Sequence, residues 1–192
     1  MNINNLPNAI TLARIFLVPV LIVVLKQGNY QAALAIFLIA GISDGLDGFI
    51  AKRYNMVTHL GAVLDPLADK LLLVSTYVML TVLGDVPFWL MVAVASRDVL
   101  IVGGYLTVTS ISGPVKMQPS WLSKFNTVMQ IVLVLIILVQ RSYGIDMPLL
   151  NTILFVVVLL TTIASGFHYI WLWLVKHEVS SADESTNKTT NK

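Results

Sequence analysis

The chain has 192 residues, of which 57% are hydrophobic and only 11% are charged. A soluble protein has about 25% charged residues, so this composition excludes a water-soluble globular domain and a disordered chain. It indicates an integral membrane protein. The absence of cysteine excludes a disulfide framework and a thiolate nucleophile. The net charge of +2, without a long basic run, gives no reason to expect a nucleic-acid partner.

Six apolar stretches each approach the roughly 20 residues that are needed to cross the hydrocarbon of a bilayer. Asn29, Gly84, Gly113-Pro114 and Gly144 supply breaks between them. The sequence therefore predicts an all-α protein with six transmembrane helices, in one membrane domain of residues 1–176, followed by a disordered polar tail of residues 177–192. The predicted spans are residues 8–26, 31–52, 60–83, 87–109, 121–140 and 149–175.

The Lys and Arg residues between the spans predict the orientation of the chain. The side of the amino terminus has seven of them and the opposite side has two, so the positive-inside rule places both termini in the cytoplasm. The membrane would be a bacterial cell membrane or its equivalent in an organelle. The seven are Lys52, Arg53, Lys116, Lys124, Lys176, Lys188 and Lys192, and the two are Lys26 and Arg141.

Eight charged residues remain inside or at the edge of the spans. Each would cost about 2.5–3.5 kcal/mol at the lipid-facing centre of a helix, so they must face one another, water or a bound ion. They are Arg14, Asp44, Asp47, Asp65, Asp69, Lys70, Arg97 and Asp98.

Four of these acids are spaced to lie on two helix faces. Asp44, Asp47, Gly48 and Ala51 follow an i, i+3, i+4, i+7 pattern, and Gly61, Asp65 and Asp69 are four residues apart. A short turn between antiparallel helices would bring both faces together as a cluster of four carboxylates. We expect the cluster to line a polar cavity open to the cytoplasmic side.

Oxygen-only ligands of this kind suit Mg²⁺ or Mn²⁺, and two divalent ions would balance four ionised carboxylates. An alternative is that the acids form structural bridges with Arg14, Lys70 and Arg97. For the nearby small residues Ala40, Gly41 and Gly45, a role in helix packing is the favoured interpretation.

The pattern from Asp44 to Asp69 resembles the signature of the CDP-alcohol phosphatidyltransferase family. It reads Asp44-x2-Asp47-Gly48-x2-Ala51-Lys52-x8-Gly61-x3-Asp65-x3-Asp69. The family usually has Arg where this chain has Lys52, which keeps the charge but loses the bidentate fork. The segments 6–14 and 64–70 are also similar to the cardiolipin synthase and phosphatidylglycerophosphate synthase branches. Segments 96–99 and 119–127 look more like the eukaryotic-type cardiolipin synthases.

The resemblance implies a role for each residue of the motif. Asp44, Asp47, Asp65 and Asp69 would hold the metal ions, and Asp69 would also be the general base. Cytidine and diphosphate would bind at the remaining motif positions, which are Gly48, Ala51, Lys52 and Gly61. The resemblance also implies a homodimer.

Three further cations are candidates for contact with the acceptor or a phosphate. Arg14 and Lys124 are predicted near the cytoplasmic ends of their helices, where they either hold an acceptor phosphate or extend to lipid phosphates. Arg97 is the third, although a structural ion pair with Asp98 is the favoured interpretation. His59 is treated as incidental, and Trp171 and Trp173 as an interfacial anchor.

The leading hypothesis is an enzyme that transfers a phosphatidyl group from CDP-diacylglycerol to phosphatidylglycerol, which makes cardiolipin and releases CMP. The nearest alternative is a phosphatidylglycerophosphate synthase that uses glycerol 3-phosphate. A hypothesis of another class is a small cation transporter with the acidic cluster as its ion site.

Overall fold

Six helices form the part of the chain that the structure, a computed structural model, describes: residues 6–53, 59–112 and 121–167. No strand occurs in these ranges, which confirms the all-α class. The side chains of residues 6–10, 46–53, 59–67, 69, 102 and 104–112 are outside the description. The helices are α1 (Leu6–Lys26), α2 (Tyr30–Arg53), α3 (His59–Val82), α4 (Phe88–Ser112), α5 (Trp121–Tyr143) and α6 (Pro148–Phe167).

Two helices are long and apolar enough to cross a membrane by length and composition, among the residues described. They are α5 and α6, each with a mean hydropathy of 2.1. Shorter apolar segments, Tyr30–Gly45 and Lys70–Val82, lie within α2 and α3.

Three helices end in the same way, at a glycine with positive φ. Gly28, Gly84 and Gly144 have φ values of 73°, 84° and 66° and follow α1, α3 and α5. The next residue in each case donates its backbone N–H to the carbonyl five residues earlier, at distances of 2.8 to 3.1 Å. This is the Schellman arrangement, in which glycine avoids the strain that a Cβ would suffer. The breaks predicted at Asn29, Gly84 and Gly144 are confirmed.

The following helices begin with local signals of their own. The side-chain Oδ1 of Asn29 accepts a hydrogen bond from the backbone N–H of Ala32 at 3.0 Å, which caps α2. Pro148 is the first residue of α6, where its missing N–H costs nothing.

The core lies where α1 packs against α2 and α3, and α2 packs against α5. Large side chains from all six helices are buried there, among them Leu21, Phe37, Tyr77, Leu90, Leu138 and Val158. Many other large apolar side chains of the same helices point outward, including Phe16, Val82, Val99, Leu149 and Phe167.

A polar cluster ties three elements together at the end of the bundle that holds the glycine turns. Asp85, whose side chain is only 2% exposed, accepts a hydrogen bond from the hydroxyl of Tyr30 at 2.7 Å and forms an ion pair with Arg141. We call these three residues the outer clasp. It joins the start of α2, the α3–α4 turn and the last turn of α5.

Of the three small residues of α2 for which a packing role is predicted, one is buried and two are exposed. Ala40 is buried. Gly41 and Gly45 are exposed, and a Cβ built at either would meet no described atom within 4 Å. Their small size is therefore not required by a close helix contact within the described residues.

Candidate functional site

Asp44 is the one predicted metal ligand whose side chain the structure describes. Its Oδ1 lies 2.6 Å from the guanidinium of Arg14, so a salt bridge joins α2 to α1. Arg14 is 1% exposed whereas Asp44 is 38% exposed. Arg14 therefore does not extend to the lipid surface, and the Asp44 side chain is partly exposed.

The other three aspartates lie on the helices that the sequence predicts. Asp47 is in α2, and Asp65 and Asp69 are in α3, which begins at His59 after α2 ends at Arg53. Their side chains are outside the described residues, as are those of Gly48, Ala51, Lys52 and Gly61. Trp171, Trp173 and the tail of residues 177–192 are also outside them.

No group of three potential metal-binding side chains occurs among those that are described. Three of the four predicted ligands are not among the described side chains. Whether the four could hold a metal ion is therefore judged from the chemistry of their donor atoms. It consists of carboxylates on two consecutive helices, and the one described member is partly open. Such a set fits a hard divalent cation such as Mg²⁺ or Mn²⁺.

A second polar cluster, which we call the inner network, lies beside the signature on α3. The ammonium group of Lys70 donates to both carboxylate oxygens of Asp98 at 2.8 Å. Arg97 donates to Oδ1 of the same carboxylate at 2.7 Å. The ion pair predicted between Arg97 and Asp98 is therefore present, and Lys70 adds α3 to it.

The rest of the Arg97 guanidinium is held by hydroxyl groups. It donates to Ser165 of α6 at 2.7 Å and to Ser123 of α5. Arg97 is buried, so the inner network fastens α4 to α3, α5 and α6. Contact between Arg97 and an acceptor stays a prediction.

Asp98 receives the two cations that were candidates for neutralising the predicted carboxylate cluster. Lys70 and Arg97 both direct their charge to Asp98. Among the described side chains, the structural-bridge interpretation is confirmed for Arg14 with Asp44, whereas the other two cations pair with Asp98, which is outside the signature.

Uncharged polar side chains form a further buried layer that counting charges does not reveal. The Oδ1 of Asn126 accepts hydrogen bonds from Thr161 and Thr162 of α6 at 2.8 and 3.0 Å. The Nδ2 of Asn126 and both side-chain amide atoms of Gln130, one turn further along α5, are buried and have no hydrogen-bond partner among the described residues. The only sequence signal for them is polar residues at i, i+4 spacing in an apolar helix.

Lys124 differs from the other candidate cations because it is exposed. Its ammonium lies 5.5 Å from the centroid of the Trp121 ring, a cation–π distance. It lies in the first turn of α5, where we predicted it, and its contact with an acceptor is untested.

A family model described as CDP-alcohol phosphatidyltransferase matches residues 4–173 of this chain. The match includes all six helices and the whole aspartate signature.

Curated relatives fall into two groups with different activities in their names. The cardiolipin synthase (CMP-forming) of Homo sapiens is 33% identical over 180 residues, which are 85% of this chain and 60% of that protein. The CDP-diacylglycerol–glycerol-3-phosphate 3-phosphatidyltransferase of Rickettsia bellii is 36% identical over 173 residues, or 86% of this chain and 93% of that protein. The Bacillus subtilis enzyme of the same name is 32% identical over 182 residues, with 86% and 93% covered.

The chain spans between 31% and 60% of the length of the cardiolipin synthases it matches. Both groups share about the same sequence identity with this chain, so overall identity does not decide between the acceptors in their names.

Proposed function

Because the chain belongs to the CDP-alcohol phosphatidyltransferase family, we propose that it transfers a phosphatidyl group from CDP-diacylglycerol to an alcohol. The observation that carries the proposal is the aspartate signature, complete from Asp44 to Asp69 on two consecutive helices. A hydroxyl oxygen of the acceptor attacks the phosphorus that bears diacylglycerol. The bond from that phosphorus to the CMP oxygen breaks, and CMP leaves.

The four aspartates divide this work between holding metal ions and accepting a proton. Asp44, Asp47, Asp65 and Asp69 would hold two Mg²⁺ or Mn²⁺ ions, which when bound neutralise the diphosphate and stabilise the departing CMP. Asp69 accepts the proton of the attacking hydroxyl. Arg14 holds one oxygen of Asp44, which orients that carboxylate.

Cytidine diphosphate binds beside these carboxylates in the proposal. Gly48, Ala51 and Gly61 leave space for the nucleotide to approach the backbone, and Lys52 reaches a phosphate or ribose oxygen. Arg14, Lys124 and Arg97 are the proposed contacts of the acceptor. Arg97 already donates hydrogen bonds to Asp98, Ser123 and Ser165. It is therefore the least favoured of the three proposed acceptor contacts.

The proposed location is a membrane, with all six helices crossing it and the cavity open to the cytoplasm. Support comes from the many large apolar side chains on the outside of the helices, which a soluble monomer rarely exposes together. The membrane domain would be residues 1–176, with both termini cytoplasmic, and it would form a homodimer as the family resemblance implies. A membrane location also keeps the acyl chains of the substrate in lipid during the reaction.

Phosphatidylglycerol is the proposed acceptor, which makes the chain a cardiolipin synthase. Support comes from segments 96–99 and 119–127, which resemble the eukaryotic-type cardiolipin synthases, and in particular from Asp98 after Arg97. Glycerol 3-phosphate is the second candidate, because relatives with that activity are matched over 93% of their length.

Incubation of the purified protein with Mg²⁺, CDP-diacylglycerol and each acceptor separately tests the proposal. We expect CMP release with phosphatidylglycerol and a product with the mass of cardiolipin. Turnover only with glycerol 3-phosphate would reverse the choice of acceptor. Absence of CMP release with both acceptors would refute both proposed acceptors.

A further inference from the structure

The inner network carries more positive than negative charge. Lys70 and Arg97 contribute two positive charges and Asp98 contributes one negative charge. An unbalanced charge inside a protein is unfavourable unless something of opposite charge approaches it. Within the inner network, Asp98 therefore balances only one of the two positive charges.

The excess charge is accessible at only one of the three residues. Arg97 and Asp98 are buried, whereas the side chain of Lys70 is 34% exposed. An ammonium group has three N–H donors, and Lys70 gives two of them to Asp98. Its third N–H has no partner among the described residues.

The carboxylate of Asp98 also fixes the position of this donor. Because Lys70 bonds to both of its oxygens and Arg97 is held by two other helices, the ammonium is restrained before any ligand arrives. A donor that is already in place loses little entropy on binding. Lys70 directly follows Asp69, so it lies beside the proposed reaction centre.

We propose that Lys70 binds a phosphate oxygen of a substrate through its third N–H. The inference rests on the proposed function and adds a residue outside the family signature to it. The phosphate belongs either to the diphosphate of CDP-diacylglycerol or to the phosphate of the acceptor, and the experiment distinguishes these sources.

Lys70→Met tests the proposal, because it removes the donor and leaves Asp98 paired with Arg97. We expect KM to rise at least about tenfold for the substrate whose phosphate Lys70 holds, and to stay within about twofold for the other. Lys70→Arg should recover most of the loss. Lys26→Met, at an exposed lysine in the last turn of α1, is the matched control and should change neither KM.

A merely structural lysine gives a different result. Lys70→Met would then lower the unfolding temperature and kcat with both KM values unchanged, which would overturn the proposal. Lys70→Gln, whose amide still reaches toward Asp98, provides the same measurement if the Met variant misfolds. Recovery of KM in the double variant Lys70→Met with Asp98→Asn, which restores the net charge without the donor, would also overturn it.

Binding measurements separate this inference from the proposed function. Calorimetric titration with CDP and with phosphatidylglycerol in detergent micelles needs no turnover, and we expect Lys70→Met to weaken binding of one of them at least about tenfold. If the wild-type protein turns over and both KM values and both affinities are unchanged in the variant, the role of Lys70 is wrong and the transferase proposal stands.

Discussion

At the scale of single residues, Asp44 shows that a proposed metal ligand also takes part in a salt bridge. Arg14 holds one oxygen of its carboxylate from a buried position, and the carboxylate itself is partly exposed. The guanidinium orients the Asp44 carboxylate, which stays partly exposed beside the proposed metal site. The same residue therefore fastens α1 to α2 and contributes to the proposed site.

Replacement of Asp69 by Asn tests the proposed general base. The amide cannot accept the proton of the attacking hydroxyl, so we expect CMP release to fall at least about 100-fold. The unfolding temperature should stay the same, because Asn has almost the same size. Asp146→Asn, at an acid that is 88% exposed in the α5–α6 turn, is the control and should keep full activity. Full transferase activity of the Asp69 variant would refute the assignment.

The sequence predicts which residues are unusual, but not how they pair across helices. Spacing within one helix places Asp65 and Asp69 on a face, and the adjacent Arg97 and Asp98 are predicted to pair. The contact between Lys70 and Asp98 depends on the rotation of α3 against α4, which spacing within each helix does not contain. Asn126 and its threonine partners were missed because an inventory of charges omits amides and hydroxyls.

At the scale of elements, the helix boundaries follow from local chemistry, and so the sequence predicts them well. Glycine with positive φ ends α1, α3 and α5. Asn29 caps the start of α2, and Pro148 is the first residue of α6. These signals lie within a few residues of each boundary. The predicted spans 31–52 and 60–83 differ from α2 and α3 by only one residue at each end.

Two glycine substitutions with opposite effects test this account of the elements. Gly84→Ala forces a Cβ into a backbone with φ of 84°, so we expect the free energy of unfolding to fall by about 1–2 kcal/mol. Gly41 lies inside α2, and a Cβ added there would meet no described atom. Because alanine has the higher helix propensity, Gly41→Ala should raise the free energy of unfolding by up to about 1 kcal/mol. Thermal unfolding of the purified variants measures both. A destabilised Gly41 variant would show that this glycine is a packing surface after all.

At the scale of the whole molecule, the two polar clusters lie at different levels of the bundle. The outer clasp joins the start of α2, the α3–α4 turn and the end of α5. The inner network and the Arg14–Asp44 pair lie toward the other end, on the side of the signature. The bundle is thus held at the outer end by short turns and one buried carboxylate, and at the inner end by charged contacts that the substrate would share.

The predicted orientation in the membrane is testable because the chain contains no cysteine. A single cysteine introduced at Lys188, in the tail, should react with an impermeant maleimide only after the cells are opened. A cysteine at Asp146, in the exposed α5–α6 turn, should react in intact cells, because the positive-inside rule places it on the opposite side. The reverse pattern of labelling would invert the orientation, and labelling of both in intact cells would contradict the six-span topology.

One polar contact lies within each of three helical hairpins, which bears on how the chain would enter a bilayer in the proposed membrane location. Arg14 pairs with Asp44 within α1–α2, Lys70 with Asp98 within α3–α4, and Asn126 with two threonines within α5–α6. Each hairpin is closed by one of the glycine turns. In the proposed membrane location, a hairpin that inserts as a unit brings with it the partners of Arg14, Lys70 and the Asn126 Oδ1, so these three groups need not cross the hydrocarbon unpaired.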